Sequence, residues 1–344
     1  MKTIVKILVV LVAVSAQKIA ISQTGYTQEA YKCYQAKDFE CARTWIDSAI
    51  ASQERTNSQT WQLRGVIYRN IGGAQAMENR NTAIESFVQA RNLDVDNVDQ
   101  DKITKYLKNT IIRYYNDAVT LLEANELVDS EKSYELYKKN QTEYVNENED
   151  FKALDMEFYN ALGGQYMNSM KILPKGPQKE ATKTKGINLY KKVLALDPNN
   201  FQANFNIGLV YYNEGVDITY EMRGRTDLPI EEMLEGLDKS EKQFSSALPF
   251  LKKAVELKPD DESAVEGLTG TYYGLNDDAN YNHYRAILDK MIIDDLLKDF
   301  DKNPNDIELV KELCRIYSTT IVNEQQYDKF NAVYKQLLLK EENK

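Results

Sequence analysis

An all-α fold of about seven stacked, antiparallel helix hairpins is the architecture this sequence predicts, on three observations. Glycine and proline number 15 and 7 among 344 residues, about half their usual combined share, which leaves too few turn formers for a many-stranded sandwich or barrel. Three turns share one grammar: Asp197-Pro198-Asn199-Asn200, Lys258-Pro259-Asp260-Asp261 and Asn303-Pro304-Asn305-Asp306. Ten residues after each proline stands a small or short residue (Gly208, Thr269, Cys314), and thirteen after it a tyrosine (Tyr211, Tyr272, Tyr317). Third, a small residue is followed four and seven positions later by apolar ones in Gly186, Tyr190, Val193 and in Ala247, Leu251, Ala254, and again in Ala42, Ile46, Ala49 and in Ala83, Phe87, Ala90. That spacing is one face of a helix.

Taken in order, the chain opens with Lys2 and Lys6 flanking the start of an apolar run, Ile4 to Val14, which stops at Val14-Ser15-Ala16. This pattern predicts a secretory signal peptide over residues 1–16, cleaved after Ala16; the run is too short to span a bilayer, and no integral membrane span is expected elsewhere. The implied location is exported, periplasmic or secreted. The solenoid is expected over 17–341, beginning with a hairpin at 24–52 around Ala36-Lys37-Asp38. There Cys33 and Cys41 face each other across the turn and form a disulfide candidate suited to an oxidising compartment. A second hairpin covers 58–95. Residues 100–146 are helical by the spacing of Ile103, Leu107, Ile111 and Tyr114 but lack the small-residue grammar, so they read as a divergent hairpin. A further hairpin covers 158–198, with 172–184, around Pro174, Gly176 and Pro177, read as an exposed loop. In the hairpin at 201–259, residues 212–246 lengthen both helices, with Asp227 and Pro229 opening the second; Pro249 is expected to kink it near Ser245. Residues 262–341 complete the stack. Small residues on both helices of a hairpin allow close approach, bulky ones fill the layer between hairpins, and neighbours must stack because no hairpin buries its apolar face alone.

Trp61, Gly65, Tyr68, Ala83, Phe87 and Ala90, together with Tyr26, Ala30, Ala42, Ile46 and Ala49 and the stretch Phe201 to Tyr211, resemble the tetratricopeptide repeat (TPR), and the resemblance extends over most of residues 24–341. It implies a superhelical solenoid whose first helices line a concave wall, and it is closest in kind to exported TPR proteins of Gram-negative envelopes. The wall positions of those helices are Tyr31, Tyr34, Gln62, Arg69, Asn160, Phe205, Leu209, Tyr212, Asn213, Tyr273, Lys311 and Arg315. Aromatic side chains on such a wall suit an extended peptide or an apolar helix. The expected function is therefore a non-enzymatic scaffold or adaptor for a protein or peptide partner; the alternative is a carrier of glycan or another small ligand. Self-association is left open.

Other chemistries are disfavoured. The formal net charge of −10 has the wrong sign for phosphate backbones, so nucleic acid is not an expected partner. With one histidine and three cysteines, no His- or Cys-rich metal site can be assembled in one chain, and no cofactor is expected. His283 has no metal-spaced partner and reads as a packing or surface residue. Asp299, Asp301, Asn303 and Asn305 alternate like a calcium loop, but Pro304 stands where the glycine belongs and Val310 where the bidentate glutamate belongs, so the segment reads as a turn. Cys314 falls at a close-packing position and reads as a buried free thiol. There is no paired acid and base, nucleophile elbow or phosphate loop, and no enzyme is expected.

Overall fold

The computed structural model describes residues 25–342 apart from 73–75, 95, 97–98, 226 and 320–321. The expected signal segment, 1–16, lies outside the described residues. Among the described residues there are fourteen α-helices, one 3-10 turn over Gln53–Thr56 and no strand. They form the seven expected antiparallel hairpins, divided between two compact units that meet in sequence at Phe151 and Lys152. The first unit holds α1 (Tyr26–Gln35) with α2 (Phe39–Ile50), α3 (Ser58–Asn70) with α4 (Ala76–Leu93), and α5 (Gln100–Glu123) with α6 (Leu127–Tyr144). The second holds α7 (Lys152–Ile172) with α8 (Pro177–Leu196), α9 (Phe201–Arg223) with α10 (Ile230–Leu257), α11 (Glu262–Gly274) with α12 (Asp278–Lys302), and α13 (Ile307–Thr319) with α14 (Glu324–Glu342).

The shared proline turns do two jobs. Proline cannot continue the outgoing helix, and the fourth residue of each turn caps the incoming one: Asn200 accepts from the Ala203 amide at 3.0 Å, Asp261 from Ala264 at 3.0 Å and Asp306 from Leu309 at 3.1 Å. A cap of this kind satisfies one of the orphaned N–H groups at a helix start and stabilises by about 1 kcal/mol. Turns inside three hairpins follow another rule. Lys37, Asn125 and Asn276 adopt positive φ of 61°, 62° and 54°, and the next amide reaches back five residues, as in Asp38 to Cys33, Glu126 to Leu121 and Asp277 to Tyr272. This is the Schellman ending, which closes α1, α5 and α11.

The expected crossings are present, with a correction to what fills them. A Cβ on Gly65 would sit 2.5 Å from a ring carbon of Phe87, one on Gly163 3.0 Å from Tyr190, and one on Gly208 2.6 Å from Leu251. The bulky second-helix residue therefore lies against the glycine of its own hairpin instead of filling only the layer between hairpins. Phe87, Tyr190 and Leu251 are almost wholly enclosed, as are Ala83, Ala90, Ala247 and Ala254 beside them. In the second unit a Cβ on Gly267 of α11 would lie 3.3 Å from Leu209 of α9 and 3.4 Å from Leu251 of α10, so this glycine lets one hairpin close on the next.

One further expectation is revised. The loop read over 172–184 shrinks to residues 173–176, because Pro177 takes the first helical position, where its missing N–H costs nothing. Gly176 supplies the φ of 153° that the entry demands, and Lys183, well inside α8, is held by Glu180 and Glu214. Pro249 lies, as expected, inside the second helix of its hairpin, α10, which runs without a break from Ile230 to Leu257. Cys33 and Cys41 are joined in a disulfide with Cα atoms 5.8 Å apart, and Cys314 is a buried free thiol. No helix among the described residues is long and apolar enough to cross a membrane.

Candidate functional site

The lengthened hairpin of the second unit builds a pronounced concavity. α9 and α10 contain 23 and 28 residues against 13 in α11, and a cavity of about 430 Å³ lies among the three. Tyr212, Val216, Thr219, Tyr220 and Arg223 of α9 line it, with Leu237, Asp238, Ser240, Glu241 and Phe244 of α10 and Gly270, Tyr273 and Gly274 at the end of α11. The glycines explain the geometry: Gly270 and Gly274 leave room for the rings of Tyr212 and Phe244, which a Cβ at either position would strike. Tyr212 is half-buried, 6.0 Å from Phe244 between ring centres, and burial followed by the nearby Glu266 carboxylate pushes its phenol up from the ordinary value. At the floor, Ser240 bridges to the Gly215 carbonyl at 2.8 Å and to the Thr219 hydroxyl at 2.6 Å.

Above that floor the hairpin opens to solvent. Tyr220 is 74% and Tyr273 57% exposed. Along the first half of α10 only Gly236 and Ser240 are buried, while Ile230, Met233, Leu234 and Leu237 all remain exposed. Their spacing of three, one and three residues sets them on one helix face, and Leu237 joins this stripe to the cavity wall. A contiguous apolar patch beside a cavity is the usual form of a surface that takes a partner.

A second cavity, of about 380 Å³, is lined by α7, α8 and α9 and takes in Met167, Met170, Lys171, Leu209, Asn213 and Ile218. Two of its four lysines are engaged within the fold: Lys183 reaches Glu180 at 2.6 Å and Glu214 at 2.8 Å, and Lys175 reaches Glu221 at 2.5 Å.

The expected wall residues thus separate. Tyr212 and Tyr273 share the α9–α11 cavity, whereas Leu209 and Asn213 face the other one. Phe205 stacks on Phe201 at 5.6 Å and packs against the core around Leu251 and Leu268. Asn160 donates to the Asn200 side chain at 3.4 Å, tying α7 to the cap of α9. Arg315 and Lys311 are engaged by Glu312 and Glu308 on their own helix; such exposed pairs contribute little. Asp299, from the calcium-like run, lies in α12 and holds Lys302 at 2.8 Å.

In the first unit Tyr31, Tyr34 and Arg69 do come together, with Tyr106 of α5 added. The Arg69 guanidinium lies 5.4 Å over the Tyr106 ring. Burial raises the Tyr34 phenol while Arg69 opposes the rise. Gln62 is a correction: it is fully buried and donates to Asp99 at 2.9 Å, because α5 and its cap cover the place where an open wall was expected. Tyr106, Tyr220 and the α10 stripe were not singled out from sequence, although the stripe's i, i+3, i+4, i+7 pattern is readable there.

Comparison with known proteins supports the class. The family described as TPR repeat matches residues 184–215, which run from the middle of α8 into α9. No curated protein matches the chain. Among solved structures, a monomeric mutant of IFIT1 with Gppp-AAAA is 14% identical, with 90% of this chain and 79% of that chain covered and a TM-score of 0.32. The human IFIT1 dimer with m7Gppp-AAAA is 14% identical, with 90% and 80% covered and a TM-score of 0.30. Likeness at these scores carries no argument about what this chain binds. The chain is an all-helical protein that carries a TPR repeat, set among helix hairpins of similar build.

Proposed function

We propose that the chain is a non-catalytic interaction scaffold that seats an apolar helix or extended peptide of a protein partner in the α9–α11 groove. The observation that carries this reading is the continuity of the exposed stripe Ile230, Met233, Leu234 and Leu237 with a cavity walled by Tyr212, Tyr220 and Tyr273. Rigid rings give contact area at small entropic cost, and the groove's polar rim of Arg223, Asp238 and Glu241 supplies orientation. The basic start and apolar run of residues 2–14 support export, and we place the scaffold in the periplasm or outside the cell.

The test is photo-crosslinking in cells from a reactive group at Tyr220, in the parent chain and in a Leu234→Asp, Leu237→Asp double variant. A discrete crosslinked protein that disappears in the double variant, with helicity and melting temperature retained, is the expected result. A pattern unchanged by the double variant would remove the groove from the function. A second reading, carriage of a glycan, is favoured by one feature: three tyrosine rings lie beside the carboxylates Asp238 and Glu241 in a cavity of about 430 Å³. Thermal-shift screening with soluble cell-wall sugars separates the two, since only a carrier gains stability from sugar alone.

A further inference from the structure

A separate feature of the first unit has no role in that function. Where α3 ends, α4 begins and α5 passes alongside, a cleft of about 180 Å³ is lined by Arg69, Asn70, Ile71, Gly72, Ala76, Arg80 and Arg113. Three arginines line one space smaller than the pockets that enclose drug-sized ligands and large enough for about six waters. Arg80 is buried and pairs with Asp117 at 2.5 Å, its guanidinium 4.5 Å over the Tyr114 ring. Arg113 lies on the open side and donates to the Arg69 carbonyl at 2.8 Å, taking up one of the acceptors left over at the end of α3. The Arg69 Nε is enclosed and has no hydrogen-bond acceptor. No carboxylate is among the residues lining the cleft; Asp117 pairs with Arg80, and Arg69 and Arg113 have no ion pair among the described residues, which leaves two positive charges without a paired carboxylate.

We propose that this cleft is a site for a dianionic phosphate group, either free phosphate or a small phosphate monoester. Planar guanidinium forks match the oxygens of phosphate, and each arranges two donors toward them. A dianion balances the two spare charges and gives the enclosed Arg69 Nε an acceptor; a monocarboxylate leaves one charge unmet. Electrostatics agree with the geometry. Burial and then the neighbouring Arg113 lower the Arg69 pKa, and burial and then Arg80 lower that of Arg113, with Asp117 offsetting in part. An anion would relieve that mutual repulsion. The charged groups lining the cleft are Arg69 of α3, Arg80 of α4 and Arg113 of α5; behind them Tyr34 of α1 and Tyr106 of α5 neighbour Arg69, and Asp117 of α5 holds Arg80. Burial raises both Tyr34 and Tyr106 above the ordinary phenol value, so these two remain neutral near pH 7.

The experiment is isothermal titration of the full chain in low-salt buffer at pH 7.5 with inorganic phosphate, O-phosphoserine and, as the monoanion, acetate. Saturable one-site binding of a phosphate form, at least tenfold tighter than acetate, is expected. Tighter inorganic phosphate identifies the free ion as the ligand class, and tighter phosphoserine identifies an ester. Binding of phosphoserine should strengthen as pH rises from 5 to 7, through the second ionisation of the ligand near pH 6. Arg69→Gln and Arg113→Gln should each weaken binding tenfold or more, while Arg225→Gln, a loop residue paired with Asp227, leaves it unchanged. Should those variants fold poorly, phosphate protection of Arg69 and Arg113 from phenylglyoxal in the native chain, read by mass spectrometry, decides the matter. No saturable binding, acetate binding as tightly as phosphate, affinity flat with pH, or no protection would each overturn the proposal.

Discussion

The hairpin α3–α4 and the hairpin α9–α10 start from the same crossing and end differently. Both place a glycine of the first helix against a bulky residue of the second, Gly65 against Phe87 and Gly208 against Leu251. In α3–α4 almost every side chain around that crossing is enclosed. In α9–α10 the packed root continues into a lengthened arm where an apolar stripe stays in solvent. Regular repeats build walls, and departures from regularity build the features that can hold something. The first unit follows the same rule, since Tyr106 and Arg113 both come from the hairpin that lacks the small-residue grammar.

The largest effect should come from breaking the regular crossing. Gly65→Val places methyl groups against Phe87, which is fully buried and has nowhere to move, and should cost about 3 kcal/mol in chemical denaturation. Gly270→Ala in the groove meets the outer end of the Tyr212 ring, which is only half-buried and can swing, and should cost about 1 kcal/mol; equal losses would erase the distinction between wall and groove. Reducing Cys33–Cys41 should lower the stability of the first unit by ~2–3 kcal/mol and leave the second unit's transition in place. Calorimetry with and without reductant reads both. Asp261→Ala removes the cap of α11 beneath the groove and should cost about 1 kcal/mol in the second unit alone.

The smallest effect is one of pH. Burial acts to raise the Glu54 carboxyl, but the hydroxyl and amide of Thr27, at 2.5 and 2.9 Å, and the amide of Tyr26, at 3.0 Å, outweigh it and hold the group below its ordinary 4.5. Its contribution is therefore complete above the unfolded-state value and fades as acid carries pH down through the folded one. Glu54→Gln should flatten that acid limb in the first unit and leave the melting of the second unit unchanged, as followed by melting temperature between pH 6 and pH 3.

Much of the framework was readable because it rests on local chemistry. Glycines at crossings act within one hairpin, and proline turns with their cap residues act within a few residues of chain where one hairpin passes to the next, so three turns and a handful of small residues announce seven hairpins. The lengthening at 212–246 was readable for the same reason. The wall was less so. Gln62 and Phe205 occupy helix positions that a regular stack would expose, yet Asp99 covers the first from 37 residues away, and the second packs against a core that includes Leu251 and Leu268 of other helices, at no fixed sequence spacing. The arginine cleft was hidden more thoroughly: Arg69, Arg80 and Arg113 come from three helices at unrelated spacings, and only packing makes them neighbours.

The reach of the α9–α10 arm is separable from its anchorage. The root of that hairpin is fixed at Gly208 and Leu251, and its tip is joined by the short segment after Arg223. Adding or removing one turn on both helices, about 5.4 Å of length, would slide the tip without disturbing the root. Chimaeras with arms cut or extended by three or four residues per side should still fold, and under the function proposed above they should change in whole-turn steps the size of partner the groove retains.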